Sequence, residues 1–311
     1  MLKYFLKKLI ISLLSLFVVM SATFFLMKAI PGDPFLSDQN MPKEVLKSLH
    51  SHYGLDRPIF YQYLKYIKGF LTFDLGPSFV YEGRSVNQII KDGLPTTMLL
   101  GFEALFISIF FGILFGTIGA IKKDKWQSSF ITVLAILGIS LPNFLIASLL
   151  QYLLAMKLKI FPIARFDSFM HSVLPAIALA ALPTAYIARL MKSSMIEILS
   201  KDYIKTAKAK GLSSFKVISK HAFRNAILPV VSYLGPLSAH VLTGSFVIEK
   251  IFSIPGIGMW LVSSISARDY PVIIGLGVFY SFILIFIMFF IDIIYKLIDP
   301  RIELDSAITK A

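Results

Sequence analysis

At 311 residues, 56% hydrophobic and with a mean hydropathy of +0.75, the chain is far more apolar than a soluble domain, and its apolar residues fall in long runs. The formal charge of +13 does not point to nucleic acid, because the basic residues gather in connections beside those runs, where they report membrane topology. With no cysteine, the chain has no disulfide, no thiolate metal site and no cysteine nucleophile.

The pattern predicts an all-α polytopic membrane protein. Lys3, Lys7 and Lys8 precede an apolar run to about residue 30. That run is longer than the core of a secretion signal and ends at Pro31 without a small-x-small site, so it reads as a retained span. Residues 31–95 form a long polar and aromatic segment with short helices predicted over 42–52 and 59–70. The second helix sets Tyr61, Tyr63 and Tyr66 among Lys65 and Lys68, a composition suited either to the membrane interface or to packing on the outer ends of the spans. The nearby His50 and His52 read as a solvated pair rather than metal ligands.

Five further spans are predicted over 97–121, 130–156, 173–190, 228–246 and 272–297, making six with the first. Lys122, Lys123, Lys125, the basic stretch 200–229, and Arg301 and Lys310 then share a side with the first lysines. The positive-inside rule places both termini in the cytoplasm. The expected organisation is a first span and its cytoplasmic end over 1–30, an extracytoplasmic loop over 31–95, a five-span core over 96–298 and a cytoplasmic tail over 299–311. Within the core lie a cytoplasmic loop over 192–228 and an external, re-entrant or interfacial loop over 249–271. In the external loop Pro255-Gly256 marks a turn, 257–267 a short helix, Asp269 a cap for the last span and Pro271 its first turn.

Glu103, His240 and Asp292 are ionisable groups at or within apolar runs, with Lys296 a helical neighbour of Asp292. Ser232, Gly235, Pro236, Ser238, Thr243, Gly244 and Ser245 make the fifth span rich in small and polar groups, which serve close helix packing or line an aqueous path. Candidates for a pathway or gate are Ser238, His240, Thr243, Ser245, Pro255 and Gly256.

The stretch 200–229 cannot lie in a bilayer core. It carries Lys201, Lys205, Lys208, Lys210, Lys216, Lys220 and Arg224 against Asp202 alone. A helix from Asp202 to Lys210 should stop at Gly211, and Ser213 or Ser214 should cap a second one. In that second helix Phe215, Ile218 and Ala222 recur on one face and Lys216, Lys220 and Arg224 on another. Such a pair is either a stiff element that another protein can push or an ordinary positive loop. No Gly-x-x-x-x-Gly-Lys-Ser/Thr phosphate loop occurs, so energy for uphill movement would enter from outside the chain.

Tyr53-Gly54-Leu55-Asp56-Arg57-Pro58, Leu141-Pro142-Asn143-Phe144, Asp202-Tyr203-Ile204, Ala207-Lys208-Ala209-Lys210-Gly211-Leu212, His221-Ala222-Phe223-Arg224-Asn225-Ala226, Ile251-Phe252-Ser253-Ile254-Pro255-Gly256 and Arg268-Asp269-Tyr270-Pro271 follow one another in order, with Pro31-Gly32-Asp33-Pro34 before and Asp299-Pro300-Arg301 after them. In these motifs the chain resembles the inner-membrane permease subunits of bacterial ATP-binding cassette importers, in the oligopeptide, dipeptide and nickel branch. The resemblance implies a type I importer permease fold in the bacterial inner membrane. It also implies a second homologous permease, two ATPase subunits that hold ATP and magnesium, an extracytoplasmic solute-binding protein and surrounding membrane lipid, with no cofactor in this chain. Asp202, Tyr203, Thr206, Ala207, Ala209, Lys210, Gly211, Leu212 and Ser213 would form the loop that sits in the ATPase. The superfamily motif begins Glu-Ala-Ala with a glycine six residues after the glutamate. Gly211 and Ala207 match, while Lys205 and Thr206 depart, which removes any contact carried by that glutamate. Peptides are the expected cargo, with nickel or another small solute as the alternative. A self-sufficient secondary transporter would need an ion-coupling role at Glu103, His240 or Asp292.

Overall fold

A computed structural model describes residues 2–31, 35 and 43–298. The tail 299–311, with Asp299-Pro300-Arg301 and Lys310, and residues 32–34 of the first motif lie outside them. Apart from one isolated bridge between Pro77 and Ser85, every regular element among the described residues is helical. In chain order these are α1 (Leu2–Ala29), α2 (Lys43–Tyr53), α3 (Ile59–Leu71), α4 (Val86–Ile121), α5 (Trp126–Ser140) and α6 (Asn143–Leu150) with a π-helical continuation Gln151–Lys157. Next come α7 (Phe169–Ser200), α8 (Asp202–Ala209), α9 (Ser214–Lys216), a π-turn Val217–Ala222 and α10 (Phe223–Ala226). The chain then forms α11 (Leu228–Leu242), α12 (Phe246–Ile251), α13 (Ile257–Ala267) and α14 (Tyr270–Ile298).

Five of these helices are long and apolar enough to cross a membrane, or six if α5 and α6 count as one bent span. The protein is thus all-α and polytopic. The predicted third span over 130–156 needs correction, because α5 and α6 meet at 110°. Leu141 precedes Pro142, whose ring disfavours the helical region for it, and here Leu141 is extended at φ −85°, ψ 129°. Hydropathy averaged over a window does not register that bend. Two other spans are longer than predicted: α4 begins at Val86 and passes through Pro95, and α7 runs from Phe169 through Pro175 and Pro183 to Ser200. Proline is tolerated inside membrane helices where neighbouring groups satisfy the freed carbonyl.

Contacts divide the chain into two compact units, 1–96 with 255–311 and 97–254. In the first, Val86, Ile89 and Ile90 of α4 form a core with Ile257 of α13 and Val272 and Leu276 of α14. A Cβ on Gly93 would lie 2.9 Å from the Ile257 nitrogen, and one on Gly275 only 2.6 Å from Val86 Cγ1, so both glycines mark close approach. Leu16 and Met20 of α1 pack with Val278 of α14, and Tyr66 and Phe70 of α3 lean on that cluster. Burial pushes the Tyr66 hydroxyl above the usual phenol range, and the neighbouring Tyr63 adds to the effect. Asp292 pairs with Lys8 of α1 at 2.7 Å; the Lys296 side chain lies outside the described residues. Asp269 does not cap α14 with its side chain as predicted. Its carboxylate is fully buried and accepts from Ser78 Oγ and, at 3.1 Å, from the Phe79 amide, closing the loop before α4 onto the start of α14.

In the second unit α7 is the central rod. Gly112 and Gly116 of α4 have the Gly-x-x-x-Gly spacing, and a Cβ on either would come within 2.6 Å of Ile187 Cβ or of the Ala188 carbonyl oxygen and Met191 Cβ. Gly138 of α5 approaches Ala185 and Ala181 from another side. α11 and α12 break at Thr243–Ser245, where Gly244 takes φ +77° beneath Thr97, and Thr97 Oγ1 donates to the fully buried Glu249 at 2.9 Å.

Two outcomes test these contacts. Gly116→Val forces α4 off α7 and costs about 1–3 kcal/mol, read as a lower melting temperature of the detergent-solubilised protein. Ser78→Ala leaves the Asp269 carboxylate short of a donor and costs about 1–3 kcal/mol in the same measurement, whereas Ser266→Ala, on an exposed hydroxyl, leaves the melt unchanged.

Candidate functional site

The basic stretch folds as a helix pair continuous with α7. α7 ends at Ser200, where Lys201 turns extended (φ −68°, ψ 150°), and α8 starts at Asp202, an acid placed where the helix dipole favours it. The Glu197 carboxylate, hydrogen-bonded to Lys201 at 2.9 Å, holds that ammonium above its ordinary range. Lys205 reaches Asp202 at 2.8 Å, an exposed pair of small energetic weight.

α8 stops by local chemistry. Gly211 adopts φ +75°, its amide donates to the Lys208 carbonyl at 2.9 Å and the Leu212 amide donates to the Ala207 carbonyl at 3.4 Å. This pairing satisfies the last carbonyls and needs a left-handed residue at position 211, which glycine takes without strain. Ser213 then caps α9, its Oγ accepting from the Lys216 amide at 3.5 Å. The stop at Gly211 and the cap at Ser213 are both as predicted.

The packed face is not as predicted. Val217, Ala222 and Ala226 are buried, as are Ile204 and Ala207 of α8, while Phe215 is 80% exposed. A π-turn widens the helix to more than four residues per turn, so Val217 and Ala222, five apart, fall on one side. The expected α-helical face through Phe215, Ile218 and Ala222 is thereby broken. Lys216, Lys220 and Arg224 all stay exposed. Asn225 Nδ2 donates to Tyr203 Oη at 3.0 Å and ties the two helices together, and both halves of the pair touch α7.

The result is a two-sided element. Ile204, Ala207, Val217 and Ala222 attach it, while Tyr203, Thr206, Ala209, Lys210, Gly211, Ser213 and Phe215 are exposed and Leu212 is half-buried. A phenylalanine and a tyrosine presented among lysines suit a partner protein with an acidic, aromatic-lined groove.

Among the pathway candidates, Ser238 Oγ donates to the Leu234 carbonyl at 2.6 Å and Thr243 Oγ1 to the His240 carbonyl at 2.8 Å. Ser245 Oγ accepts from the Ile248 amide and caps α12. These hydroxyls are taken up by local backbone, whereas the His240 side chain is exposed. Pro255 and Gly256 belong to the first unit, at the head of α13, where Gly256 is buried. Glu103 receives Ser172 Oγ at 3.0 Å, and its other oxygen is enclosed without a partner among the described residues. The fully buried carboxylates are Glu249 and Asp269, which sequence reading placed in a loop. An acid set between apolar neighbours, as in Val247-Ile248-Glu249, was the available signal for the first.

Five or six apolar spans and an exposed basic helix pair after α7 place the chain among multi-pass membrane proteins. Residues 108–304 match the family described as binding-protein-dependent transport system inner membrane component, and residues 1–101 match its N-terminal membrane component. The chain belongs to this family of multi-pass inner-membrane proteins. It is similar, at 49% identity over 98% of its length and 99% of the relative's, to the dipeptide transport system permease protein DppB of Bacillus subtilis. The DppB of Lactococcus lactis is 42% identical over 98% of this chain and 100% of its own length. The oligopeptide transport system permease protein OppB of Haemophilus influenzae is 37% identical over 97% of this chain and 100% of its own length.

Gly211→Val places a β-branched residue in the left-handed region and should unseat the end of α8. Amide hydrogen exchange over 202–212 is expected to quicken several-fold, with exchange in α7 unchanged.

Proposed function

We propose that the chain is a permease subunit of an ATP-driven importer of dipeptides or oligopeptides, forming half of the translocation path. The observation that carries this reading is the end-to-end similarity to dipeptide and oligopeptide permease proteins, which includes the helix pair after α7. A second homologous permease completes the path. Two ATPase subunits bind ATP and magnesium and receive the α8–α9 pair, and an extracytoplasmic binding protein delivers the cargo. This chain then performs no chemistry of its own. Lys7, Lys8, Lys122, Lys123, Lys125 and the α8–α9 lysines support an orientation with the termini and the helix pair in the cytoplasm.

The mechanism follows from rigidity. α7 and α8 are joined by the single extended residue Lys201, and α8 is locked to the following helix through Tyr203 and Asn225. Closure of the ATPase pair on ATP moves α8, and α7 carries that movement along about 48 Å at ~1.5 Å per residue. Alternating access is then a rocking of spans around the passage.

Co-expression with its genetic neighbours and reconstitution into liposomes tests the reading. Wild type should co-purify with ATPase subunits and take up labelled di- or tripeptide only with ATP and loaded binding protein. Phe215→Asp should lower uptake at least tenfold and release the ATPase without changing the melting temperature. Unchanged uptake in that variant would refute the coupling role, and ATP-dependent uptake of nickel in place of peptide would refute the cargo.

A further inference from the structure

The exposed faces of the spans are of two kinds. α1 shows Leu13, Leu14 and Leu26, α4 shows Phe102, Phe106 and Phe110, and α14 shows Phe286 and Phe290, all suited to lipid. In the second unit α7 instead exposes Tyr186, Arg189 and Ser193, at i, i+3 and i+7, and α11 exposes Ser232, Pro236 and His240, at i, i+4 and i+8. Those spacings put each trio on one helical face. The two helices pack together, and the Tyr186 and Tyr233 rings meet at 5.9 Å between them, so the two trios flank one seam.

Depth sharpens the contrast. Arg189 stands about 30 Å along α7 from Phe169, towards the α8 end, and His240 about 18 Å beyond Leu228, which is well inside a bilayer some 30 Å thick. An arginine near one end of a span can snorkel to the interface, but a mid-span histidine on the same exposed seam has no such route. Arg189 has no hydrogen bond or ion pair among the described residues, and its guanidinium stays charged at any biological pH. A charge with no partner is also out of character for the dry centre of a protein–protein seam, where charged residues are depleted.

We propose that this α7–α11 face is a wall of the water-filled passage and that Arg189 is a fixed cationic station for the terminal carboxylate of the cargo peptide. The proposal rests on the peptide-import reading. The planar guanidinium matches a carboxylate with two parallel hydrogen bonds, which fixes the orientation of the chain end as it passes. Tyr186 and Tyr233 beside it offer amphipathic ring faces that accept varied side chains. Cargo thus meets one constant contact for its constant group and adaptable contacts for the rest.

This chain has no cysteine, so each introduced cysteine is the only one it carries, and the transporter built with the cysteine-free wild-type chain gives the background from the other subunits. In the assembled transporter, Tyr186→Cys, Ser232→Cys and His240→Cys should react with a charged methanethiosulfonate at least tenfold faster than Phe106→Cys and Phe286→Cys, and loaded binding protein with ATP should slow them. Protection of all three from reagent in every state would place the face in the seam with the second permease and overturn the proposal. Next, Arg189→Gln should lower uptake of a free-carboxylate peptide at least tenfold, Arg189→Lys should retain much of it, and a C-terminally amidated peptide, supplied at equal occupancy of the binding protein, should cross wild type and Arg189→Gln equally. Equal loss for both cargoes would overturn the station. Fast labelling in a wild-type transporter that moves no peptide would overturn the peptide reading and the carboxylate station together, while the passage wall would stand.

Discussion

Apolar spans in a bilayer gain nothing from hydrophobic burial against one another, so their association rests on how closely backbones approach. In the second unit that approach is made on α7, where Gly112 meets Ile187 and the Thr184 carbonyl, Gly116 the Ala188 carbonyl and Met191, and Gly138 Ala185 and the Ala181 carbonyl. The contact leaves no room for a Cβ at these glycines, which fixes α4 and α5 against one rod. The same rod continues to Ser200 and is joined to α8 through Lys201, so the helix on which α4 and α5 pack also holds the basic pair.

Polar groups follow a consistent rule. Each fully buried carboxylate closes a loop or a break: Asp269 binds the segment before α4 to the head of α14, and Glu249 binds the α11–α12 break to Thr97. Both carboxylates spend their hydrogen-bonding capacity on the fold, as burial of a charged group generally requires. An ion-coupled transporter would need such a group poised between hydrated states. Glu249 and Asp269 are thus committed to the fold, whereas Glu103 keeps one enclosed oxygen without a partner among the described residues.

The spans were legible because hydropathy is a sum over about twenty residues and survives local error. The stop of α8 at Gly211 and the cap at Ser213 were legible because their causes lie within four residues in the chain. What failed depended on distant partners or on a change of helical period. Ser78 and Asp269 are 191 residues apart, and nothing local to either announces the other. Phe215 was placed on the packed face because a period of 3.6 was assumed, and the π-turn at 217–222 shifts everything after it. The closeness of α4 to α7 could have been anticipated from Gly112-x-x-x-Gly116, whereas Pro142 alone did not announce the bend, since Pro95, Pro175 and Pro183 lie inside continuous helices.

The helix pair has a buried side and an exposed aromatic and basic side. Ile204, Val217 and Ala222 are essentially inaccessible and Ala207 nearly so, and both helices of the pair touch α7. Phe215 is 80% exposed and Tyr203 43%, and neither has a packing role comparable to those residues. An exposed phenylalanine costs roughly 1.5–3 kcal/mol relative to a buried one, a cost that a surface partner removes on docking. Phe215 lies opposite Val217, two residues on, and the π-turn brings Ala222 to the side of Val217, whereas seven residues of regular α-helix would set Ala222 on the side of Phe215. A regular α-helix through 214–226 would hide the aromatic and leave only lysines for a partner to recognise, and bare positive charge gives attraction without register.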